Sequence, residues 1–243
     1  MRFFFLLLPL FLAGCQTLSV PPAFHRTDYS ALGYTLASWQ KDTGSGNLVR
    51  IYLEGDGHAF HHDGRVTSDP TPRGTFLRQI AFADPNPNVV YLARPCQFVM
   101  SARCTKKDWS TARFSESIVS AVEEAVIRIA AGREVVLIGY SGGALLSGLV
   151  IERGRLKVRR WVTLAGLLDH EKWTRTQRLT PLTGSINLTK LPAVEQVHYY
   201  GAEDPVLPAS LFVGVPGAKE VPDAGHDRGF ESVLSDVYDN CCK

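Results

Sequence analysis

The sequence lacks most of the features that would point to a nucleic-acid, nucleotide or metal-binding protein. Its net charge is only +2 over 243 residues, and the basic residues are scattered, so no nucleic-acid surface is indicated. It has no repeat at solenoid or propeller spacing and no segment of low complexity. The phosphate-binding pattern G-x-x-x-x-G-K-[ST] and the zinc pattern H-E-x-x-H are also absent. We therefore expect neither a cofactor nor a nucleic-acid partner.

The apolar run at residues 3–13 follows Arg2 and is too short to span a bilayer, but it has the length of a signal-peptide core. It leads into Leu-Ala-Gly-Cys at residues 12–15, which is similar to the bacterial lipobox. We interpret residues 1–14 as a lipoprotein signal peptide, 15–30 as a lipidated tether and 31–243 as one domain. The resemblance implies a membrane anchor through acyl chains such as palmitate on Cys15, and Gln16 favours the outer membrane, facing the periplasm.

Four cysteines besides Cys15 remain in the chain, an even number that suits an oxidising compartment. Cys96 and Cys104 bracket a short polar loop, and we predict a disulfide between them. Cys241 and Cys242 are adjacent, and a bridge between neighbours is strained. Their pairing stays open.

Short apolar segments alternate with helical patterns from residue 34 onwards. Several of these segments are apolar on both faces, which is typical of strands in a parallel sheet covered by helices on each side. The pattern therefore predicts a single α/β domain with a mostly parallel central sheet. The predicted strands are 34–39, 48–55, 88–95, 134–140, 159–169, 195–204 and 218–226, and the predicted helices are 71–83, 115–131, 142–152 and 230–240.

The pattern G-x-S-x-G occurs once in a context that suits catalysis, with Ser141 at its centre. It follows a predicted strand and opens a predicted helix, as a nucleophile elbow requires. A serine needs a base, and the base needs an acid to orient it. We predict Ser141 as nucleophile, His226 as base and Asp204 as acid, because each falls at the carboxyl end of a predicted strand and their order in the chain suits a hydrolase triad. Asp169 is the alternative acid.

Backbone amides are expected to stabilise the oxyanion. We predict the N–H groups of Gly142 and Asp56, with that of Gly57 as the alternative to Asp56. The segment Asp-Gly-His-Ala-Phe-His-His-Asp at residues 56–63 contains two carboxylates and three histidines, but no regular metal-ligand spacing. We interpret it as a polar loop at the mouth of the pocket, without a metal.

At these residues the chain resembles the α/β-hydrolase superfamily, especially bacterial envelope lipoproteins that carry similar segments. These include Tyr-Leu-Glu-Gly-Asp-Gly at 52–57 and Tyr-Leu-Ala-Arg-Pro-Cys-Gln at 91–97. The resemblance implies a serine hydrolase that transfers the acyl group of a small ester, amide or thioester to water. We expect a carboxylesterase rather than a peptidase. Two alternatives are an acyltransferase with the same triad and a non-catalytic lipoprotein that uses the fold for binding. The sequence leaves protein partners unknown.

Overall fold

A single eight-stranded sheet forms the centre of the part of the chain that the computed structural model describes, residues 19–238. Its strands lie in the order β1-β2-β4-β3-β5-β6-β7-β8, and β2 runs antiparallel to both of its neighbours. Strands β3 to β8 are parallel to one another. The predicted mostly parallel sheet is confirmed. The strands are β1 His25–Ala31, β2 Tyr34–Asp42, β3 Leu48–Leu53, β4 Asn88–Leu92, β5 Glu134–Tyr140, β6 Lys157–Leu164, β7 Glu195–Gly201 and β8 Ala218–Val221.

Helices cover both faces of this sheet, as predicted. The side chains of α2 and α3 share one buried apolar cluster with the sheet, and those of α1 and α5 share the other. Each central strand contributes to both clusters, which explains why its sequence is apolar on both faces. The helices are α1 Phe76–Ala83, α2 Glu116–Ala130, α3 Gly142–Glu152, α4 His170–Thr176 and α5 Leu234–Tyr238.

Helix α2 begins and ends where its sequence predicts. The Ser115 side chain accepts a hydrogen bond from the N–H of Ile118 and so caps the first turn. At the other end, Ala131 and Gly132 both have left-handed backbone conformations, with φ of 49° and 85°, which ends the helix. The apolar residues along one face of this helix, from Ile118 to Ile129, are buried.

Several elements differ from the sequence prediction, and strands β6, β7 and β8 end three to five residues earlier than predicted. Strand β1 begins inside the segment assigned to the tether and ends one residue beyond it, at Ala31. It is an edge strand with mostly polar, exposed residues, so it carries no apolar alternation. Helix α1 begins at Phe76 rather than at residue 71. The last helical segment is a 3-10 turn, Glu231–Val233, followed by the short α5. Helix α4 was not predicted, because seven mostly polar residues show no helical periodicity.

The predicted disulfide between Cys96 and Cys104 is confirmed, with Cα atoms 5.8 Å apart. It closes the loop that follows β4 at the carboxyl edge of the sheet. Cys15, Cys241 and Cys242 lie outside the described residues. Within residues 19–238, no helix combines the length and hydropathy needed to cross a bilayer.

Candidate active site

Ser141 lies in the sharp turn between β5 and α3, with a strained backbone conformation of φ 49° and ψ −124°. Glycines on either side allow this turn to be tight. A Cβ on Gly139 would lie 2.5 Å from the Cα of Ala144, and one on Gly143 would overlap the carbonyl oxygen of Leu53. The first turn of α3 therefore packs directly on the strand ends, and the Ser141 hydroxyl faces the cavity above the sheet.

The structure brings the three predicted catalytic side chains together at this edge. His226 Nε2 lies 3.0 Å from Ser141 Oγ, and His226 Nδ1 lies 2.8 Å from Asp204 Oδ2. Asp204 follows β7 and His226 follows β8, and the carboxyl ends of parallel strands lie along one edge of the sheet. When Nδ1 donates its proton to Asp204, Nε2 is left with a lone pair directed at the serine hydroxyl.

Asp204 is held rigidly in this arrangement. Its side chain is fully buried, and Oδ1 accepts hydrogen bonds from the N–H groups of Val206 at 2.8 Å and Leu207 at 3.0 Å. Only Oδ2 is therefore directed at His226. This carboxylate orients the imidazole and can stabilise its protonated form.

Asp169, the alternative acid, has a different role in the structure. It is the N-cap of α4, and its Oδ1 accepts hydrogen bonds from the N–H groups of Glu171 and Lys172, both at 2.9 Å. The same oxygen accepts one from Asn187 at 2.6 Å. Asp169 thus stabilises a helix start, whereas Asp204 is the carboxylate bonded to His226.

Free backbone amides lie beside Ser141. Within residues 19–238 the N–H groups of Gly142, Asp56 and Gly57 have no acceptor, whereas that of Gly55 donates to Glu54 Oε1 at 2.8 Å. The position of Gly142, directly after Ser141 at the start of α3, suits an oxyanion donor. The second donor stays a prediction: the N–H group of Asp56, with that of Gly57 as the alternative.

An ion-pair cluster with two buried arginines and a partly buried carboxylate supports this part of the site, and the sequence did not predict it. Asp56 Oδ1 bonds to Arg94 Nη1, and Asp56 Oδ2 bonds to Arg113 Nη1. The two arginines lie 38 and 57 positions further along the chain, so no local pattern connects them to Asp56. We call Arg94, Asp56 and Arg113 the Arg–Asp–Arg cluster.

The cluster keeps Asp56 ionised. Burial alone would raise the pKa of Asp56, but the positive charges of Arg113 and Arg94 outweigh that effect and lower it. Arg94 also donates to the carbonyl oxygen of Arg113 at 2.6 Å, and Gln97 donates to that of Gly55 at 2.9 Å. The loop after β4, which the disulfide closes, therefore holds the loop that carries the predicted oxyanion amides.

Glu54, at the end of β3, is a second buried carboxyl group near Ser141. It accepts hydrogen bonds from the Gly55 N–H and, at 2.6 Å, from the Tyr91 hydroxyl. Burial raises the pKa of Glu54, although these bonds oppose the rise. Both carboxyl oxygens are thus used within the protein, which makes Glu54 a structural support beneath the turn.

A cavity of about 410 Å³ opens above Ser141 and His226. The segment predicted as a pocket-mouth loop contributes Asp56 to Phe60 to its lining. Within the described residues, no group of three or more His, Cys, Asp or Glu side chains is arranged to hold a metal ion. Aromatic and aliphatic side chains form most of the remaining wall: Phe76, Leu77, Tyr140, Leu167, Trp173 and Leu207.

Comparisons with known proteins support this architecture. No protein-family model matches the chain, and no curated protein is similar to it in sequence. Solved structures do match. CarC, a serine hydrolase involved in carbazole degradation, has a TM-score of 0.60 at 13% identity, over 89% of this chain and 96% of that one. XC6422 from Xanthomonas campestris, an α/β serine hydrolase without a lid, has a TM-score of 0.54 at 14% identity, over 90% of this chain and 91% of that one.

A thioesterase domain from the curacin biosynthetic pathway is also similar, with a TM-score of 0.53 at 11% identity, over 89% of this chain and 98% of that one. At such identities the likeness concerns the fold. The chain has the α/β-hydrolase fold, in one domain over nearly the full length of these neighbours.

Proposed function

We propose that this protein, which has the α/β-hydrolase fold, is a serine hydrolase with Ser141, His226 and Asp204 as its catalytic triad. The observation that carries the proposal is the continuous hydrogen-bonded series from Asp204 to His226 to Ser141, with distances of 2.8 and 3.0 Å. Free amides beside the serine and an open cavity above it support the same chemistry.

The reaction follows from this arrangement. Ser141 Oγ attacks the substrate carbonyl carbon while His226 Nε2 accepts the serine proton, and the resulting oxyanion is bound by the N–H groups of Gly142 and of Asp56 or Gly57. His226 then protonates the leaving group, and an acyl group remains on Ser141. Water repeats the sequence and releases the acid. Asp204 keeps the imidazole in the required orientation throughout.

The substrate we propose is a small acyl compound: an ester first, with amides and thioesters as related possibilities. The segment between Asp169 and Lys190 carries only the seven-residue α4 and no long amphipathic helix that would cover the cavity. An open and partly polar cavity suits a small, soluble acyl substrate better than a lipid aggregate. We further propose that a lipid on Cys15 anchors the enzyme to the outer membrane, facing the periplasm.

A fluorophosphonate probe tests the proposed nucleophile, because such probes phosphonylate only an activated serine. We expect the wild-type protein to be labelled and Ser141→Ala to remain unlabelled. The matched control is Ser68→Ala, an exposed serine outside the triad, which should be labelled as strongly as wild type. Circular dichroism would verify that both variants fold.

Labelling that persists in Ser141→Ala would remove this serine from its assigned role. A folded wild-type protein that no fluorophosphonate labels would favour the non-catalytic lipoprotein instead. A panel of esters, amides and thioesters of increasing acyl length, with Ser141→Ala as the blank, would then identify the acyl group. Added alcohol or amine acceptors would separate hydrolysis from acyl transfer.

A further inference from the structure

Arg113 is a buried arginine with one terminal nitrogen that the protein does not use. The residue is only 5% exposed. Its Nε donates to the carbonyl oxygen of Ser110 at 2.7 Å, and Nη1 donates to Asp56. The other terminal nitrogen, Nη2, has no acceptor within residues 19–238, and Arg113 is part of the lining of the active-site cavity. Nη2 is not one of the fully buried side-chain atoms that lack a partner, so it is accessible, and it is the part of Arg113 that is free to donate to a ligand.

The Arg–Asp–Arg cluster contains two arginines and one ionised carboxylate, so its own net charge is +1. The nearby Glu54 carboxyl group is engaged by Tyr91 and by the Gly55 amide, and neither of its oxygens bonds to Arg113. At the exposed rim of the cavity, Arg73 and Asp227 carry opposite charges. Of the two arginines in the cluster, Arg113 is the one that lines the cavity and can present its charge to a ligand.

The aromatic rings around the guanidinium also fit a binding role. The Arg113 guanidinium carbon lies 5.1 Å from the ring centroid of Phe60 and 5.9 Å from that of Trp173, and both rings line the same cavity. They hold the guanidinium in place and offer apolar surface beside it. A ligand with an apolar body and one anionic end would match both features.

This charge lies close to the reacting atoms. The Asp56 carboxylate packs against the backbone of Gly142, the residue after the nucleophile, so closely that a Cβ on Gly142 would overlap Asp56 Oδ1. Arg113 bonds to the other oxygen of the same carboxylate. An anionic group that reaches Arg113 is therefore only a short chain away from a carbonyl held at Ser141.

We propose that Arg113 determines specificity by binding a carboxylate on the substrate, so that the enzyme acts on acyl compounds that also carry an acid group. The carboxylate accepts a hydrogen bond from Nη2, and its short apolar chain lies against Phe60 and Trp173. The inference rests on the proposed function, because it concerns the same cavity and the same nucleophile.

Two p-nitrophenyl phosphonate inactivators test the inference. They are identical except that a short alkyl chain ends in a carboxylate in one and in its methyl ester in the other. In each reaction the Ser141 Oγ–P bond forms and the bond from phosphorus to the p-nitrophenolate oxygen breaks, while His226 takes the serine proton. A second pair carries the charge on the leaving phenol instead, so that both portions of a substrate are tested. The measurement is the second-order rate constant of inactivation, normalised to each compound's reaction with hydroxide.

We expect wild type to prefer the carboxylate in at least one pair, and Arg113→Gln to lose about 10- to 100-fold of that preference, the range for a hydrogen bond to a charged group. The ratio of the two inactivation rate constants within a pair reports recognition of the carboxylate alone. If the variant supports Asp56 less well, both compounds of the pair react more slowly by the same factor. Arg113→Lys should keep part of the preference, since it keeps the charge. Arg73→Gln removes a positive charge from the exposed rim of the same cavity and should change the ratio little.

Equal or slower reaction of the carboxylate compounds with wild type would overturn the inference, whatever the variants do. So would a preference that survives in Arg113→Gln or disappears in Arg73→Gln. In each of these results Ser141 is still labelled, so the proposed hydrolase function stands. If no phosphonate of any charge labels Ser141, the proposed function fails, and the inference fails with it.

Discussion

Gly142 has two roles in the proposed site: its amide faces the predicted oxyanion, and its Cα packs against the Asp56 carboxylate. A methyl group there would overlap Asp56 Oδ1 and lie 2.9 Å from Arg94 Nη1. The carboxylate has little freedom to retreat, because an arginine holds each of its oxygens.

Gly142→Ala is therefore expected to slow catalysis far more than it weakens folding. The methyl group must shift either the Gly142 amide or the loop of Asp56, and losing one oxyanion donor costs about 100- to 1,000-fold in kcat. The measurement is kcat/KM on an ester from the substrate panel, together with the melting temperature. Gly74→Ala serves as the control, because a Cβ at Gly74 meets open space in the lining of the same cavity. Wild-type activity in Gly142→Ala would contradict this picture of the oxyanion hole.

At the scale of elements, β6 and β7 are joined through a buried histidine that takes no part in the proposed chemistry. His198 on β7 is completely buried. Its Nδ1 lies 3.1 Å from the Thr163 hydroxyl on β6, and its Nε2 lies 2.9 Å from Gln196 Oε1. Burial lowers the pKa of His198 from 6.5 to about 4, so the folded protein holds this ring neutral.

This pKa predicts a loss of stability in mild acid. The unfolded chain binds a proton on His198 below about pH 6.5, whereas the folded chain binds it only near pH 4, so protonation favours the unfolded state in this window. The free energy of unfolding should fall by about 3 kcal/mol between pH 6.5 and 4 on account of this residue. Urea titrations across that pH range measure it.

His198→Gln should flatten that part of the stability curve, because the variant has no group to protonate at this position. The same substitution at His61, which is exposed, is the matched control and should leave the slope unchanged. An unaltered acid slope in His198→Gln would show that another group carries the pH dependence.

At the scale of the whole molecule, the carboxyl edge of the sheet assembles the site from distant parts of the chain. Asp56 follows β3, Ser141 follows β5, Asp204 follows β7 and His226 follows β8. Because these strands are parallel, their ends meet at one edge. The predicted order of strands and helices was therefore enough to place Ser141, Asp204 and His226 at one edge of the sheet, although apart from β5 the strand ends were predicted only approximately.

The proposed lipid anchor concerns the whole molecule as well, and a single substitution tests it. Cys15→Ser removes the thiol that would carry the lipid, so we expect the variant to leave the membrane fraction and to lose incorporation of radiolabelled palmitate. A single acyl chain binds membranes only marginally, whereas several chains anchor a protein stably, so the shift should be nearly complete. The control is Cys242→Ser, which removes a cysteine outside both the lipobox and the Cys96–Cys104 disulfide. Wild-type protein that is found entirely in the soluble fraction would contradict the anchor.

The sequence by itself determined the features that depend on local pattern. Apolar periodicity predicted the parallel sheet and α2, the glycines around Ser141 predicted the strained turn, and the short polar loop between Cys96 and Cys104 predicted the disulfide. These features are local because secondary structure and tight turns follow from neighbouring residues. Strand β1 and helix α4 were not predicted, because their mostly polar residues show no such pattern.

Only the tertiary structure decided which side chains share a site. It placed Asp204 rather than Asp169 on His226, and it brought Arg94 and Arg113 onto Asp56 across 38 and 57 positions of chain. Contacts of this kind depend on how loops from different strands meet, and they leave no mark on sequence periodicity. The tertiary structure also left Arg113 Nη2 without an acceptor among residues 19–238, in a side chain that lines the cavity.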